Sequence, residues 1–243
     1  MRDATFSIAA LDRTTGMLGV AVASKALAVG ATCAFVRAGC GAIASQAYSN
    51  PRLGIEGLTH LAAGLGAEAT LREILARDDG RDWRQVNVVD GRGGSATHTG
   101  SRTDPWSGSR SGPDYAIGGN LLVGDAVVVE MERAFTAGDG LEFGERLMRV
   151  LEAGDGAGGD RRGKQSAAVL VAYRQIFPYL DLRVDDHPEP IKELRRLLQL
   201  AWEGEYLANR RRLADTLQPR SVDEIIKLQQ ATRRRLQDSG DHP

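Results

Sequence analysis

The chain has 243 residues, 42% hydrophobic and 26% charged, and its 31 basic and 32 acidic side chains leave a net charge of −1. This composition excludes an intrinsically disordered chain, which needs few apolar residues and a strong charge imbalance, and it removes the electrostatic basis for a dedicated nucleic-acid binder. No apolar run reaches the roughly 18 residues of a membrane span, and the opening MRDATFSIAALDR carries acids where a signal peptide is apolar, so a cytoplasmic protein without a membrane partner is expected.

Period-two alternation over residues 5–12 (TFSIAALD) and 17–24 (MLGVAVAS), joined by Arg13-Thr14-Thr15-Gly16, predicts a β-hairpin. Residues 31–38 (ATCAFVRA) and 40–47 (CGAIASQA) read as two more strands. Alanine and glycine stand in these strands where a sheet usually carries valine or isoleucine, which implies close packing on that face. The two cysteines, Cys33 and Cys40, form neither a disulfide framework nor a zinc knuckle and read as buried thiols.

Leu53, Ile55, Leu58, Leu61, Ala62 and Leu65 predict a helix over 53–65, and Leu71, Ile74 and Leu75 predict one over 67–77. Strands resume at 84–90 and 95–100. The serine- and glycine-rich stretch 106–114 (WSGSRSGPD) reads as a functional loop or a cover over a cleft. Helices are predicted over 121–137 and 141–154, the second running into GDGAGGDRRG, and strands over 166–174 and 180–186.

From His187 the pattern is helix, turn, helix, with Ile191, Leu194, Leu197, Leu198 and Ala201 on one face and a capping box, Ser221-Val222-Asp223-Glu224, opening a last helix. Nearby acids offset the basic patches at Arg210 to Arg212 and Arg233 to Arg235, so this tail is not expected to bind nucleic acid. Of the 29 glycines only Gly204 and Gly240 lie beyond residue 180. That break divides a predicted sandwich domain, 1–186, from a helical extension, 187–243, that packs on it or on a partner subunit. The apolar stripe of the extension predicts a homodimer.

Strands, helices, strands and helices in this order suit two sheets between helical layers. On such a frame the hairpin brings Ser24 and Lys25 level with Thr5. A threonine hydroxyl needs an adjacent base, and a terminal amine of pKa about 7.7–8 supplies one when threonine is the first residue. A neighbouring Lys25 ammonium would hold that amine neutral. The alternative is a buried strand threonine and a surface lysine. Asn120, after Gly118-Gly119, reads either as an oxyanion donor or as a turn amide. The glycine run lacks the order of a phosphate loop. Asp185-Asp186-His187 precedes a helix and reads as its cap before it reads as a metal site. His98 lines a pocket or is a satisfied strand residue.

The blocks TFSIAALD, MLGVAVASKALAVGA, GCGAIASQAYSNPRLGIEGL, RQVNVVDGRG, THTG, GGNLL, AGGDRRGKQSAAVLV and LRVDDHPEPIKELRRLL together resemble the bacterial family called domain of unknown function 1028, over about residues 4 to 200. That family looks like a branch of the N-terminal-nucleophile (Ntn) hydrolases, with the proteasome subunits and isoaspartyl peptidases. The resemblance implies an α+β fold, a four-layer αββα Ntn-hydrolase-like sandwich here carrying a C-terminal helical extension, with a site at the start of the first strand. It also implies catalytic roles for Thr5, Lys25, Asn120, Asp160 and Ser166. For Asp160 the competing reading is an Asp-Arg pair bracing a loop.

Ser24, Gln46, Asn50, His98, Gly119 and Gln165 are the candidate substrate-binding residues. No cofactor and no metal are expected, and the expected partner is a small-molecule or peptide substrate. Family members typically begin Met-Thr. Here Met1-Arg2-Asp3-Ala4 precede Thr5, so Thr5 is expected to become terminal only by cleavage of the Ala4-Thr5 bond. Two readings follow: an amidohydrolase with Thr5 as nucleophile, and a non-catalytic binding or assembly module with Thr5 permanently capped.

Overall fold

The computed structural model describes residues 5–216. Met1 to Ala4, the capping box at Ser221 with the helix it opens, and Arg233 to Arg235 lie outside the described residues. In chain order the elements are β1 (Thr5–Asp12), β2 (Met17–Ser24), α1 (Val29–Cys33), β3 (Ala34–Arg37), β4 (Gly41–Ala47), α2 (Pro51–Ala62) and α3 (Ala67–Ala76). There follow β5 (Arg84–Asp90), β6 (Ser95–Thr99), β7 (Gly108–Gly112), β8 (Tyr115–Asn120), α4 (Ala126–Ala137) and α5 (Phe143–Gly156). β9 (Ser166–Ala172), β10 (Pro178–Val184), α6 (Pro190–Glu203) and α7 (Glu205–Thr216) complete the described chain. The strands form two antiparallel sheets, a six-stranded one in the order β10-β9-β2-β1-β8-β7 and a four-stranded one in the order β3-β4-β5-β6. With seven α-helices among the described residues, the fold is α+β.

Alternation along β1 decides what each face meets. Phe6, Ile8 and Ala10 join the cluster under α4, α5 and α6, whereas Ala9 and Leu11 join the layer between the sheets. That inner layer is small-sided, with Ala9, Ala34, Ala42, Ala44, Ala116 and Ala168 in it, and short side chains let β1 and β8 approach β4 and β5 closely. Gly118 marks the limit of this approach: a Cβ there would stand 2.7 Å from the Asn87 side-chain oxygen on the facing sheet. Ile43, Val86 and Val88 of the small sheet bury their other face against Leu53, Leu61, Leu71 and Ile74 of α2 and α3. Each such side chain contributes about 1.5–3 kcal/mol on burial.

Helix ends are fixed by local chemistry. Asn50 caps α2 by accepting the Arg52 N–H at 3.2 Å, with Pro51 in the first turn where its missing N–H costs nothing. Asp90 accepts the Ala67 N–H at 2.9 Å and so caps α3 from the small sheet. α6 lays Ile191, Leu194, Leu198 and Ala201 into the same cluster as Leu180 and Val184 of β10 and Leu151 of α5.

Three expectations about elements need correction. Residues 31–38 are not one strand, because α1 occupies the chain up to Cys33; the Ser166 hydroxyl accepts the Val29 N–H at 3.1 Å and holds its first turn. The stretch 106–114 is not loop throughout, since β7 pairs with β8 from Gly108 to Gly112. The helix expected over 121–137 starts at Ala126, because Leu122 is bridged to Asp160 and the chain is still extended there. Among the described residues no helix is long and apolar enough to cross a membrane.

Candidate functional site

Register builds the site. Thr5, the first described residue of β1, pairs with Ser24 on one side and Asn120 on the other, and Ser24 pairs in turn with Ser166 of β9. Directly paired residues share a face, so Ser166, Ser24, Thr5 and Asn120 form one polar row across four strands of the large sheet. The small sheet carries a second row, in which Gln46 pairs with Gln85 and Gln85 with Thr99. The two rows meet at one end of the inter-sheet layer, where the alanines give way to amides and hydroxyls.

The contacts between the rows are directional. Gln46 Nε2 donates to the Thr5 carbonyl at 3.3 Å and to Gln85 Oε1 at 2.8 Å, and Asn120 Nδ2 donates to the same Gln85 oxygen at 3.1 Å. Gln85 Nε2 donates to the Gly119 carbonyl at 2.9 Å and to Thr99 Oγ1 at 3.0 Å. Ser7 donates to Gln46 Oε1 at 2.5 Å while accepting from Asn87 Nδ2 at 3.1 Å, and Thr5 Oγ1 donates to Ser24 Oγ at 3.2 Å. Thr5, Ser7, Gln46, Gln85, Asn87, Asn120 and Ser166 are all buried. An unpaired buried polar group costs about 1–3 kcal/mol, so a network of this size is tolerated only where nearly every member is paired. A hydrophobic layer would pack there at lower cost, which makes the polar cluster the candidate site.

Backbone strain gathers at the same end. Ala47, next to Gln46, has φ 70°, Leu121, next to Asn120, has φ 52°, and Ala28 has φ 53°. Each non-glycine residue in the left-handed region costs of the order of 1–3 kcal/mol and persists only where its surroundings fix it. Beside Ala47 opens a cavity of about 210 Å³ lined by Thr5, Val29, Thr32, Cys33, Gln46 and Ser49 among others.

Of the residues singled out in the sequence, the structure brings Thr5, Ser24, Gln46, Asn120 and Ser166 together, with Gly119 joined through its carbonyl. Ser166 donates to the Ala26 carbonyl at 2.6 Å and so closes the turn after β2. Asp160 is buried and forms the Asp-Arg brace, with Oδ2 accepting from the Lys25 backbone N–H at 2.8 Å and from Arg162 Nη2 at 3.0 Å. A second cavity of about 80 Å³ is lined by Asp160, Ser24 and Ser166 among others. The Lys25 side chain is exposed and its ammonium donates to the Lys164 carbonyl at 3.2 Å. Close by, the Asp155 carboxylate accepts from Lys164 at 2.8 Å and raises its pKa.

Three candidates lie elsewhere. Asn50 is the α2 cap. His98 pairs with Val86, whose side chain is in the outer cluster, and its Nε2 meets the Arg81 carbonyl at 2.9 Å. Gln165 Nε2 donates to Asp186 at 3.1 Å. Asp185 pairs with Arg183 at 2.8 Å, His187 Nδ1 accepts the Glu189 N–H at 3.0 Å, and among the described residues no group of three or more His, Cys, Asp or Glu is placed to hold a metal ion.

Sequence reading passed over Gln85 and Asn87. A signal was present, because Gln85, Asn87 and Val89 alternate with Val86 and Val88, which puts two amides on a single face of a strand that is otherwise apolar.

No curated protein matches this chain. The crystal structure of a Silicibacter pomeroyi protein is similar to it, with a TM-score of 0.79 and 37% identity over 86% of this chain and 94% of that one. The family model described as "Family of unknown function (DUF1028)" matches residues 5–194, from Thr5 at the head of β1 into α6. The match thus spans both polar rows and both sheets, and the chain belongs to the DUF1028 family.

Proposed function

We propose that the protein is an amidohydrolase of the Ntn-hydrolase-like type, a four-layer αββα sandwich in which Thr5, freed by cleavage of the Ala4-Thr5 bond, attacks the carbonyl of a small-molecule or peptide amide. The observation that supports this reading is the placement of Thr5 at the head of a central strand, in register with Ser24 and Asn120 and beside a cavity.

In the proposed reaction the freed amine takes the proton from Thr5 Oγ1 as the hydroxyl oxygen bonds to the carbonyl carbon, and it delivers that proton to the departing nitrogen as the C–N bond breaks. Water then cleaves the resulting ester, returning the proton to Thr5 and releasing the acid. Asn120 spends one amide hydrogen on Gln85 and has a second with which to stabilise the oxyanion. Ser24 accepts from Thr5 and orients the hydroxyl, and Gln46 holds the Thr5 carbonyl. Asp160 enters as the brace of the neighbouring loop and not as a base, since both its oxygens are engaged by Arg162 and the Lys25 N–H. A cytoplasmic homodimer belongs to the same proposal, and a monomeric mass in solution at micromolar concentration contradicts that part of it.

Intact mass and hydrolysis of a panel of small amides test the reading. The expected protein is shorter by Met-Arg-Asp-Ala and active, whereas Thr5→Ala stays full length and inactive. Full-length wild-type protein with the same activity as Thr5→Ala overturns the reading of Thr5 as nucleophile, and full-length protein with no activity at all favours a module with Thr5 capped.

A further inference from the structure

The cavity beside Thr5 carries information about what enters it. Its described lining contains no carboxylate, ammonium, guanidinium or imidazole. The side-chain hydrogens on its polar wall are also committed. Ser49 Oγ donates to the Ser45 carbonyl at 3.2 Å or the Thr32 carbonyl at 3.3 Å, and Thr32 Oγ1 donates to the Val29 carbonyl at 3.4 Å. Both Gln46 amide hydrogens go to Thr5 and Gln85, and its oxygen takes the Ser7 hydroxyl.

A hydroxyl has one hydrogen to give and two lone pairs to receive with, so Thr32 and Ser49 present acceptors to the cavity. A wall of acceptors without a counter-charge suits a neutral group bearing N–H or O–H. It opposes a carboxylate, whose oxygens only accept and whose charge is costly to bury unpaired. The volume of about 210 Å³ falls below the roughly 300–1,000 Å³ of sites for drug-sized ligands, which limits the occupant to a fragment.

We infer that this cavity receives a small, uncharged, hydrogen-bond-donating group, such as a primary carboxamide, and turns away a carboxylate of the same size. Placing that group next to the scissile bond rests on the reading of Thr5 as the reacting residue; binding by itself does not. The test is a titration of the ¹⁵N-labelled Thr5→Ala protein, which is expected to stay full length and so adds no terminal amine to the wall, at pH 7 with propanamide, propanoate and propylammonium at matched ionic strength, read at the backbone amides of Thr32, Cys33, Ala47 and Ser49.

Propanamide is expected to shift these signals with an affinity at least ten-fold above that of propanoate. Thr32→Val removes one acceptor and should weaken propanamide about two- to ten-fold. Ser49→Asp puts a carboxylate in the wall and should move the preference to propylammonium. Propanoate binding as well as propanamide, an unchanged order in Ser49→Asp, or no response to any of the three overturns the inference. The two readings fail separately. An amide preference in a protein that hydrolyses nothing sinks the catalytic reading alone, and equal carboxylate binding in a protein that needs Thr5 for activity sinks this inference alone.

Discussion

Gln46 ties β1 to the small sheet. Its amide hydrogens reach the Thr5 carbonyl and Gln85, and its oxygen receives the Ser7 hydroxyl, so the side chain has little polar capacity left unused. Gln46→Leu keeps the volume but takes the side-chain donor from the Thr5 carbonyl, leaves the Ser7 hydrogen without its acceptor and leaves Gln85 Oε1 with Asn120 as its donor. With the Ser7 hydrogen left unsatisfied at about 1–3 kcal/mol and the other lost hydrogen bonds worth about 0.5–1.5 kcal/mol each, partly relieved by relaxation, the expected loss is about 2–4 kcal/mol in urea unfolding, and a loss below 1 kcal/mol would mean that the network re-pairs without it. Residues of this kind differ in how legible they are. Thr5 facing Ser24 follows from a hairpin whose four-residue turn sets the register, and Asn120 stands out after two glycines. Gln85 and Asn87 matter only because one sheet lies over the other, and no local pattern states which strands face each other.

Between elements, titratable groups pull stability in opposite directions with pH. The Arg84 guanidinium grips Asp78 at 2.8 Å and, by that hydrogen bond, holds its carboxyl below the usual range against the opposing effect of burial. The same Arg84 donates to the Tyr48 carbonyl at 2.6 Å, so the pair joins the entry to β5 with the turn before α2. A depressed native pKa gives stability that is present above the unfolded value of about 3.9 and lost as pH falls through the native one. Asp78→Asn should therefore cost about 1.5–3 kcal/mol at pH 7 and progressively less below pH about 4, as read by urea midpoints across that range.

Glu142 has the reverse sign. It caps α5 by accepting the Glu145 N–H at 3.0 Å, and burial raises its pKa, so its contribution is full below the unfolded value of about 4.3 and declines as pH rises through the native one. Glu142→Gln keeps an acceptor for the cap and should flatten that decline, leaving the variant more stable than wild type at pH 7. The unexpected element, β7, has its own physical reason. Its residues GSRSG have poor strand propensity, and pairing with β8 supplies what propensity does not.

At the scale of the molecule, the glycine break near residue 181 marks a change of composition inside a continuous core. Leu194 and Leu198 of α6 are buried beside Leu180, Val184 and Leu151, and Arg195 binds Glu145 and Glu152 of α5, the latter at 2.7 Å. α6 packs on β10 and β9, and β9 lies next to β2, so the helix supports the strands that carry Ser166 and Ser24. If α6 were an appendage, Leu194→Ala would loosen it and leave the sandwich intact. The packing instead leads us to predict a global loss of about 2–5 kcal/mol, the usual cost of emptying a buried leucine site. Amide exchange distinguishes the two. With a shared core, protection in residues 190–203 should match that of β1 and β9, and Leu194→Ala should lower all three together. Protection lost from 190–203 alone, with β1 and β9 unchanged, would place a folding boundary at the glycine break and remove α6 from the support of the site.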